Sequence, residues 1–171
     1  LRRRRARRIL AGGADSLCRL TYYGFNSLQI VDRRGARPLD RERRGMTVSE
    51  GAAMLLLEAA DAPPEGAVAQ ILGGGLSCDA HHPAAPHPEG RGAAAAMQAA
   101  LDDAGLTPGQ VDYVNLHGTG TVENDLSEAR ALQRFFGEQL PPLSSIKGSV
   151  GHSLAAAGAI EAAVAALATR D

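Results

Sequence analysis

Apolar positions in this chain fall in short runs closed by glycine or proline, not in long helical stripes. Residues 8–17, RILAGGADSL, end their apolar run in two glycines, the pattern of a buried strand that meets a tight turn. Residues 20–28, with Tyr22, Tyr23 and Phe25, read as a short helix or ordered loop, and residues 33–45 as a charged, turn-rich surface excursion. Glu50-Gly51-Ala52 introduces MLLLEA, the continuous apolar run of a central strand, and DAPPEG at 61–66 turns the chain. Residues 68–76 read as a further strand ending in Gly73–Gly75; the short connection between these two strands predicts antiparallel or mixed pairing.

Beyond that point the pattern becomes regular. Residues 77–92 form a long irregular loop carrying Asp79, His81, His82 and His87, and long loops inside compact domains are usually functional or disordered. Residues 93–104 have helical composition with Gly105 placed as the C-cap. VDYVNL, residues 111–116, is a predicted strand followed directly by His117-Gly118-Thr119-Gly120-Thr121; Asn124 or Asp125 is expected to cap a helix running to about Phe136. Pro141 and Pro142 lead into a last strand at 143–146, a loop from Lys147 to His152, and a helix from Ser153 to about Ala168. Strand, loop and helix recur three times from Leu72 onward, so the fold class is α/β, with helices covering a sheet.

Composition narrows the function classes. The chain has 171 residues and a formal net charge of −1, so it carries no global field directed at nucleic acid or a membrane surface. The basic run at 2–8 is read as the solvated end of a helix leading into a strand. Cys18 and Cys78 lack metal or disulfide spacing, and a reducing, cytoplasmic setting fits them. No apolar run approaches the roughly 20 residues of a membrane span. Lys147 is the single lysine among 18 basic residues. A compact ammonium in an otherwise arginine-only chain differs from guanidinium in reach, hydration and tunable pKa.

The chemistry gathers at the predicted strand ends. In an open α/β sheet these ends share one crevice, so His117 and His152, 35 residues apart, are expected to share one pocket. His152 is placed at the start of the last helix, whose positive end would keep its ring neutral. Two neutral imidazoles converging on one point make an oxyanion binder or an acid–base pair. Thr119 and Thr121 offer hydroxyls to an amide-bearing ligand.

HGTGT with Asn124-Asp125 and Glu128, and Lys147 with His152 five residues on in GHSLAAAG, resemble the β-ketoacyl-acyl-carrier-protein synthases, the condensing enzymes of the thiolase superfamily. AGGADSL, Gly24-Phe25, RPLDRERRG and EGAAMLLLE resemble the same family in the same order. NDLSE, where modular polyketide synthases usually show GDPIE, makes the chain more similar to the discrete type II elongation enzymes. The resemblance implies a thiolase-like layered fold (α-β-α-β-α), incomplete here, with residues 1–66 ending an N-terminal half and 67–171 forming most of a C-terminal half. It implies decarboxylative Claisen condensation, in fatty-acid or polyketide-type elongation, of an acyl thioester with malonyl-acyl carrier protein. His117 and His152 would bind the thioester carbonyl, Lys147 would pair with Glu128 and hold the site's hydrogen bonds, and Thr119 and Thr121 would bind the phosphopantetheine arm. Asp79 and His82 match positions near the pantetheine entrance. Asn115 and Glu161 match residues that in some members surround a buried ion or water. No cofactor is expected, since phosphopantetheine arrives on the acyl carrier protein, and a homodimer or a heterodimer with a similar chain is implied.

The family's nucleophilic cysteine would lie upstream of AGGADSL; neither Cys18 nor Cys78 matches it. The chain, opening on Leu1, therefore reads as the middle and later part of a longer synthase and is expected not to condense alone. A thiolase shares the fold but carries an asparagine-rich motif where HGTGT stands and a second cysteine near its C-terminus. A chain-length factor, the non-catalytic partner in some type II systems, is the other related class; the two histidines and the lysine favour a synthase. His81, His82 and His87 make a poor tetrahedral metal site, so no metal is expected. Gly73–Gly75 is no dinucleotide fingerprint, because an irregular loop follows it.

Overall fold

The structure is a computed structural model that describes residues 1, 5–59 and 64–169. Two strands open the chain: β1 (Arg8–Asp15) and β2 (Gly51–Glu58), with helix α1 (Arg19–Ser27) between them. They pair antiparallel, with Arg8 opposite Glu58 and Asp15 opposite Gly51. Helix α2 (Arg91–Ala104) precedes strand β3 (Val114–Asn115) and helix α3 (Val122–Phe136). Strand β4 (Leu143–Ser144), the single turn α4 (Lys147–Val150) and helix α5 (Ala157–Ala168) complete the order. β3 and β4 are parallel, α5 packs on β1 and β2, and α2 packs on α3.

Small residues govern how these layers meet. The β1 strand presents Ala11 and Gly13 inward, and a Cβ on Gly13 would stand 2.2 Å from the Ala155 carbonyl oxygen. A glycine there lets the chain entering α5 lie directly on the strand, and Asp15 fixes it by accepting from the Ala155 N–H at 3.1 Å. The opposite face of the β pair carries exposed Leu10, Met54 and Leu56. The deepest apolar positions, Met46, Leu116, Ala131, Leu132 and Ala156, lie around the residues that lead into the site.

Several expected elements fall elsewhere. The strand expected at 68–76 forms no ladder: β2 takes β1 as its partner, and this segment runs along α2. Cβ atoms on Gly73 and Gly75 would stand 2.4 and 2.0 Å from the Ala100 and Ala96 carbonyl oxygens, and the Gly74 N–H donates to Asp103 at 2.9 Å. The turn expected at 61–66 lies partly outside the described residues, as does the start of the basic run. Residues 111–116 form a shorter strand than expected, because a 3₁₀ turn with a Thr107–Gln110 capping box precedes them. Thr121, not Asn124 or Asp125, is the N-cap of α3. Asp125 instead turns inward from the first helical turn and is only 1% exposed. The expected loop at 147–152 contains α4, and a second 3₁₀ turn at 154–156 delays α5 to Ala157, so His152 does not stand at the start of a long helix.

Candidate active site

The parallel β3–β4 pair delivers two loops side by side. After Leu116, whose N–H donates to the Ser144 carbonyl at 2.8 Å, the chain turns through His117–Thr121 with φ of +40° at Gly118 and +80° at Gly120. A Cβ on Gly118 would stand 2.5 Å from the Ser145 side chain, so only glycine fits both the backbone and the space. Ser145 Oγ donates to the Gly118 carbonyl at 2.7 Å and ties the two loops together.

Glu128, in the second turn of α3, accepts the His117 and Gly118 N–H groups at 2.7 Å each. Burial raises its carboxyl pKa, and the two N–H donors oppose that shift. The carboxylate thus fixes the turn that carries His117. Lys147 is 2% exposed; its Nζ donates to the His117 carbonyl at 2.6 Å, stands 3.3 Å from His117 Nδ1 and pairs with Glu161. The expected Lys147–Glu128 pair is therefore corrected: the lysine's carboxylate is Glu161, and Glu128 is committed to backbone N–H groups.

His152 is held by its main chain between Thr47 and Ser49. Its N–H donates to the Thr47 carbonyl at 2.7 Å, and its carbonyl accepts from the Ser49 N–H at 3.1 Å. The rings of His117 and His152 lie 5.1 Å apart, edge to face at 83°, so the expectation of one shared pocket holds. Their tautomers follow from their neighbours. His152 Nδ1 accepts the Leu154 N–H at 3.2 Å, and a backbone N–H can only donate. His117 Nδ1 faces an ammonium that likewise can only donate. The ring proton of each therefore sits on Nε2.

Both rings are neutral at physiological pH. Burial is the main cause that lowers His117 to about 4, with Lys147 adding to it, even though solvent still reaches one side of the residue. Burial likewise lowers His152 to about 4, followed by His117 and Lys147. The cause differs from the helix dipole expected for His152.

The other expected residues are distributed around this pair. Thr119 and Thr121 are buried, with hydroxyls 2.9 Å apart and bonded to each other. Asn115 Nδ2 donates to the Tyr113 hydroxyl at 3.1 Å, while its Oδ1 is buried without a hydrogen-bond partner. Asp79 accepts from the His87 and Gly92 N–H groups at 2.8 and 2.9 Å, closing its own loop onto the start of α2. His82 lines an exposed depression with Cys78 and His81, its Nδ1 accepting the Ala84 N–H. The His81 and His87 rings lie 4.9 Å apart, and among the described residues no group of three or more potential ligands is placed to hold a metal ion. Cys18 and Cys78 are exposed and bond neither histidine.

Asp125, expected only as a helix cap and as part of the family motif, has a different role. Asp125 accepts from the Leu39 N–H at 2.7 Å and the Gly120 N–H at 3.1 Å, with Arg43 Nε 3.6 Å away. It joins the 32–46 loop to the histidine-bearing turn. The available signal was the spacing of Asp125 and Glu128, which places two acids on one helix face.

Residues 1–62 match the beta-ketoacyl synthase N-terminal domain and residues 68–171 its C-terminal domain. The 3-oxoacyl-[acyl-carrier-protein] synthase 2 of Staphylococcus aureus is 39% identical over 174 residues, covering 95% of this chain and 43% of that protein. A ketosynthase in complex with its chain length factor from Xenorhabdus doucetiae is 44% identical with a TM-score of 0.87, over 96% of this chain and 40% of that one. A type II polyketide ketosynthase in complex with its acyl-carrier protein is 33% identical with a TM-score of 0.91, over 97% and 44% of the two chains. The chain thus spans less than half the length of these relatives. It belongs to the beta-ketoacyl synthase family and shares its thiolase-like fold.

Proposed function

We propose that this chain supplies the two-histidine part of a centre for decarboxylative Claisen condensation, joining a malonyl thioester to an acyl thioester. The observation that carries this reading is the pair of rings, 5.1 Å apart, each bound through Nδ1, which leaves both Nε2 atoms free of protein partners among the described residues. The two Nε2–H groups suit the carbonyl oxygen of a malonyl thioester. Loss of CO₂ leaves the electron pair of the broken C–C bond on the α-carbon, the thioester carbonyl takes it up as an enolate, and the negative charge on oxygen is met by both donors. The enolate carbon then attacks an acyl thioester carbonyl, expels the thiolate and yields a 3-oxoacyl thioester. The acyl-bearing thiol in this scheme is neither Cys18 nor Cys78.

The substrate is carried by an acyl carrier protein on its phosphopantetheine arm, with Thr119, Thr121, Asp79 and His82 along its approach. The working assembly is a dimer, with a second copy or with a similar chain, in the cytoplasm. Among the described residues no helix is long and apolar enough to cross a membrane.

The test is CO₂ release from malonyl carrier protein by the protein that carries this chain. His117→Ala and His152→Ala should each lower the rate about 10²–10³-fold with folding intact, whereas the Cys18→Ala, Cys78→Ala double variant should condense normally. An unchanged rate in His117→Ala would remove the role assigned to that ring.

A further inference from the structure

Two carboxylates stand side by side beneath the histidine-bearing turn. Asp125 Oδ1 accepts the Gly120 N–H at 3.1 Å, and Glu128 Oε2 accepts the Gly118 N–H at 2.7 Å. Asn124, in the first turn of α3, donates from its side-chain nitrogen to both of these oxygens, at 3.1 Å to Asp125 and 3.4 Å to Glu128. An ionised carboxylate can only accept, so the end of the amide that faces the pair is its NH₂, with two hydrogens for two acceptors. These bonds close a ring that runs from Gly118 through Glu128, Asn124 and Asp125 to Gly120, with Thr119 between its ends.

The ring lies where solvent screens poorly. Asp125 is 1% exposed, and Asn124 and Glu128 are half-buried, so two like charges in this place repel more strongly than they would in water. Burial is the main cause that raises the Glu128 carboxyl pKa; the two backbone N–H groups oppose it, the Asp125 charge adds to the rise, and the Asn124 amide counters that charge. The other charged or titratable groups nearby are engaged elsewhere. Arg43 approaches Asp125 from the 32–46 loop at 3.6 Å, Lys147 pairs with Glu161, and the His117 ring is neutral. Among the described residues, Asn124 is the side chain bonded to both carboxylates. Aspartate, its isostere, would set a third carboxylate against the other two, and alanine would leave them unbridged.

The turn depends on both acids keeping their charge. Glu128 Oε1 also accepts the His117 N–H at 2.7 Å. Protonation of Glu128 would turn one of its oxygens into a hydroxyl facing an N–H group, which loosens the segment that aims the His117 ring.

We infer that Asn124 is a positioning residue of the condensing centre, its amide bridging Asp125 and Glu128 so that both hold the backbone N–H groups of the turn that carries His117. The inference rests on the condensing function above.

The experiment uses the protein that carries this chain, with malonyl acyl carrier protein as substrate, amide hydrogen exchange, and carbon-detected NMR of labelled glutamate to follow the Glu128 carboxyl. Asn124→Asp keeps the shape and replaces the donor by an acceptor; Asn124→Ala removes the bridge with a good helix former. The control, Gln133→Glu, adds the same charge at an exposed position of the same helix. Asn124→Asp should lower kcat for CO₂ release roughly tenfold while KM changes less than twofold. An added like charge disfavours the ionised form of Glu128, so the acid limb of the rate profile and the Glu128 titration should both move upward by roughly one pH unit. Asn124→Ala should speed exchange at Gly118 and Gly120 roughly five- to tenfold, and it carries the decision should Asn124→Asp fail to fold. The control should change each quantity less than twofold. Exchange equal to wild type in folded Asn124→Ala, an unmoved acid limb and Glu128 titration in folded Asn124→Asp, or equal effects in the control each overturns the inference. Faster exchange in the variants without CO₂ release by the wild type would leave the bridge standing and defeat the condensing reading instead.

Discussion

Replacing Lys147 by methionine would remove the cation that both fixes His117 and lowers its proton affinity. The ammonium is buried, donates to the His117 carbonyl at 2.6 Å, stands 3.3 Å from Nδ1 and pairs with Glu161. Methionine has similar volume, so the cost lies in unmet polar groups. A carbonyl stripped of its donor costs about 1–3 kcal/mol. The stranded Glu161 side chain is 19% exposed and keeps part of its hydration, so it adds less than the roughly 3–5 kcal/mol of a fully buried broken pair, while the ammonium's own desolvation is recovered. A net loss of about 1–3 kcal/mol follows. The larger effect falls on the ring. Burial lowers His117 more than Lys147 does, and together they bring it to about 4. Without the lysine its pKa should rise, yet stay below the ordinary histidine value. Nδ1 then no longer faces an obligate donor, and the tautomer with its proton on Nδ1 becomes accessible. In that form Nε2 accepts instead of donating, which should lower decarboxylation about 10²-fold. Nitrogen-detected NMR of labelled histidine reads tautomer and pKa together, alongside CO₂ release. A variant whose His117 keeps the Nε2–H form and its low pKa would refute this account of Lys147.

Three further outcomes follow from the same geometry. Gly118→Ala, at φ +40° and with its Cβ 2.5 Å from Ser145, should lose about 2–4 kcal/mol, whereas Gly109→Ala, with open space around it, should stay within about 0.5; equal urea midpoints would contradict the packing argument. Glu128→Gln must turn an NH₂ toward one of the two N–H groups now bound at 2.7 Å, so it should lose about 1–3 kcal/mol and speed amide exchange at His117 and Gly118; unchanged exchange would deny Glu128 its hold on the turn. His117 and His152 titrate at about 4 when folded and at 6.5 when unfolded, so the unfolded chain binds more protons between those values. Their contribution to stability is complete above 6.5 and is lost as pH falls toward about 4; a Tm slope over that window as steep in the double alanine variant as in wild type would count against it.

The sequence made β1 and β2 legible as short apolar runs and α2 through its Gly105 cap, although Gly12 and Gly13 lie inside β1 and do not end it. The pairing of β1 with β2 was hidden, for a physical reason. Residues 28–50 separate α1 from β2, and a long charged excursion looks like a break in the sheet. It is closed at its base, where Met46 N–H donates to Ile30 and Asp32 N–H to Met46, so β2 returns to β1 across a short effective connection. Loop-closure entropy grows only slowly with length. The segment at 68–76 misled for the converse reason: its glycines serve close approach to the backbone of α2, a use of glycine that looks the same in sequence as a strand end.

At the site, the two histidines were legible from their places after adjacent strands, but the partner of Lys147 was not, because two glutamates compete for one ammonium. Their neighbours decide the outcome. Glu128 rises from α3 beneath the turn, where two backbone N–H groups already satisfy it. Glu161 is the single acid in a helix otherwise built of alanine, glycine and branched apolar residues, which gives its charge a reason to be retained there. With Glu128 on the turn, and Lys147 held by Glu161 and the His117 carbonyl, each formal charge beside the rings has a protein partner. Both Nδ1 atoms are occupied as well. Among the described residues no protein hydrogen bond reaches either Nε2, so the fold leaves these two N–H groups as the ring donors free to meet a developing negative charge.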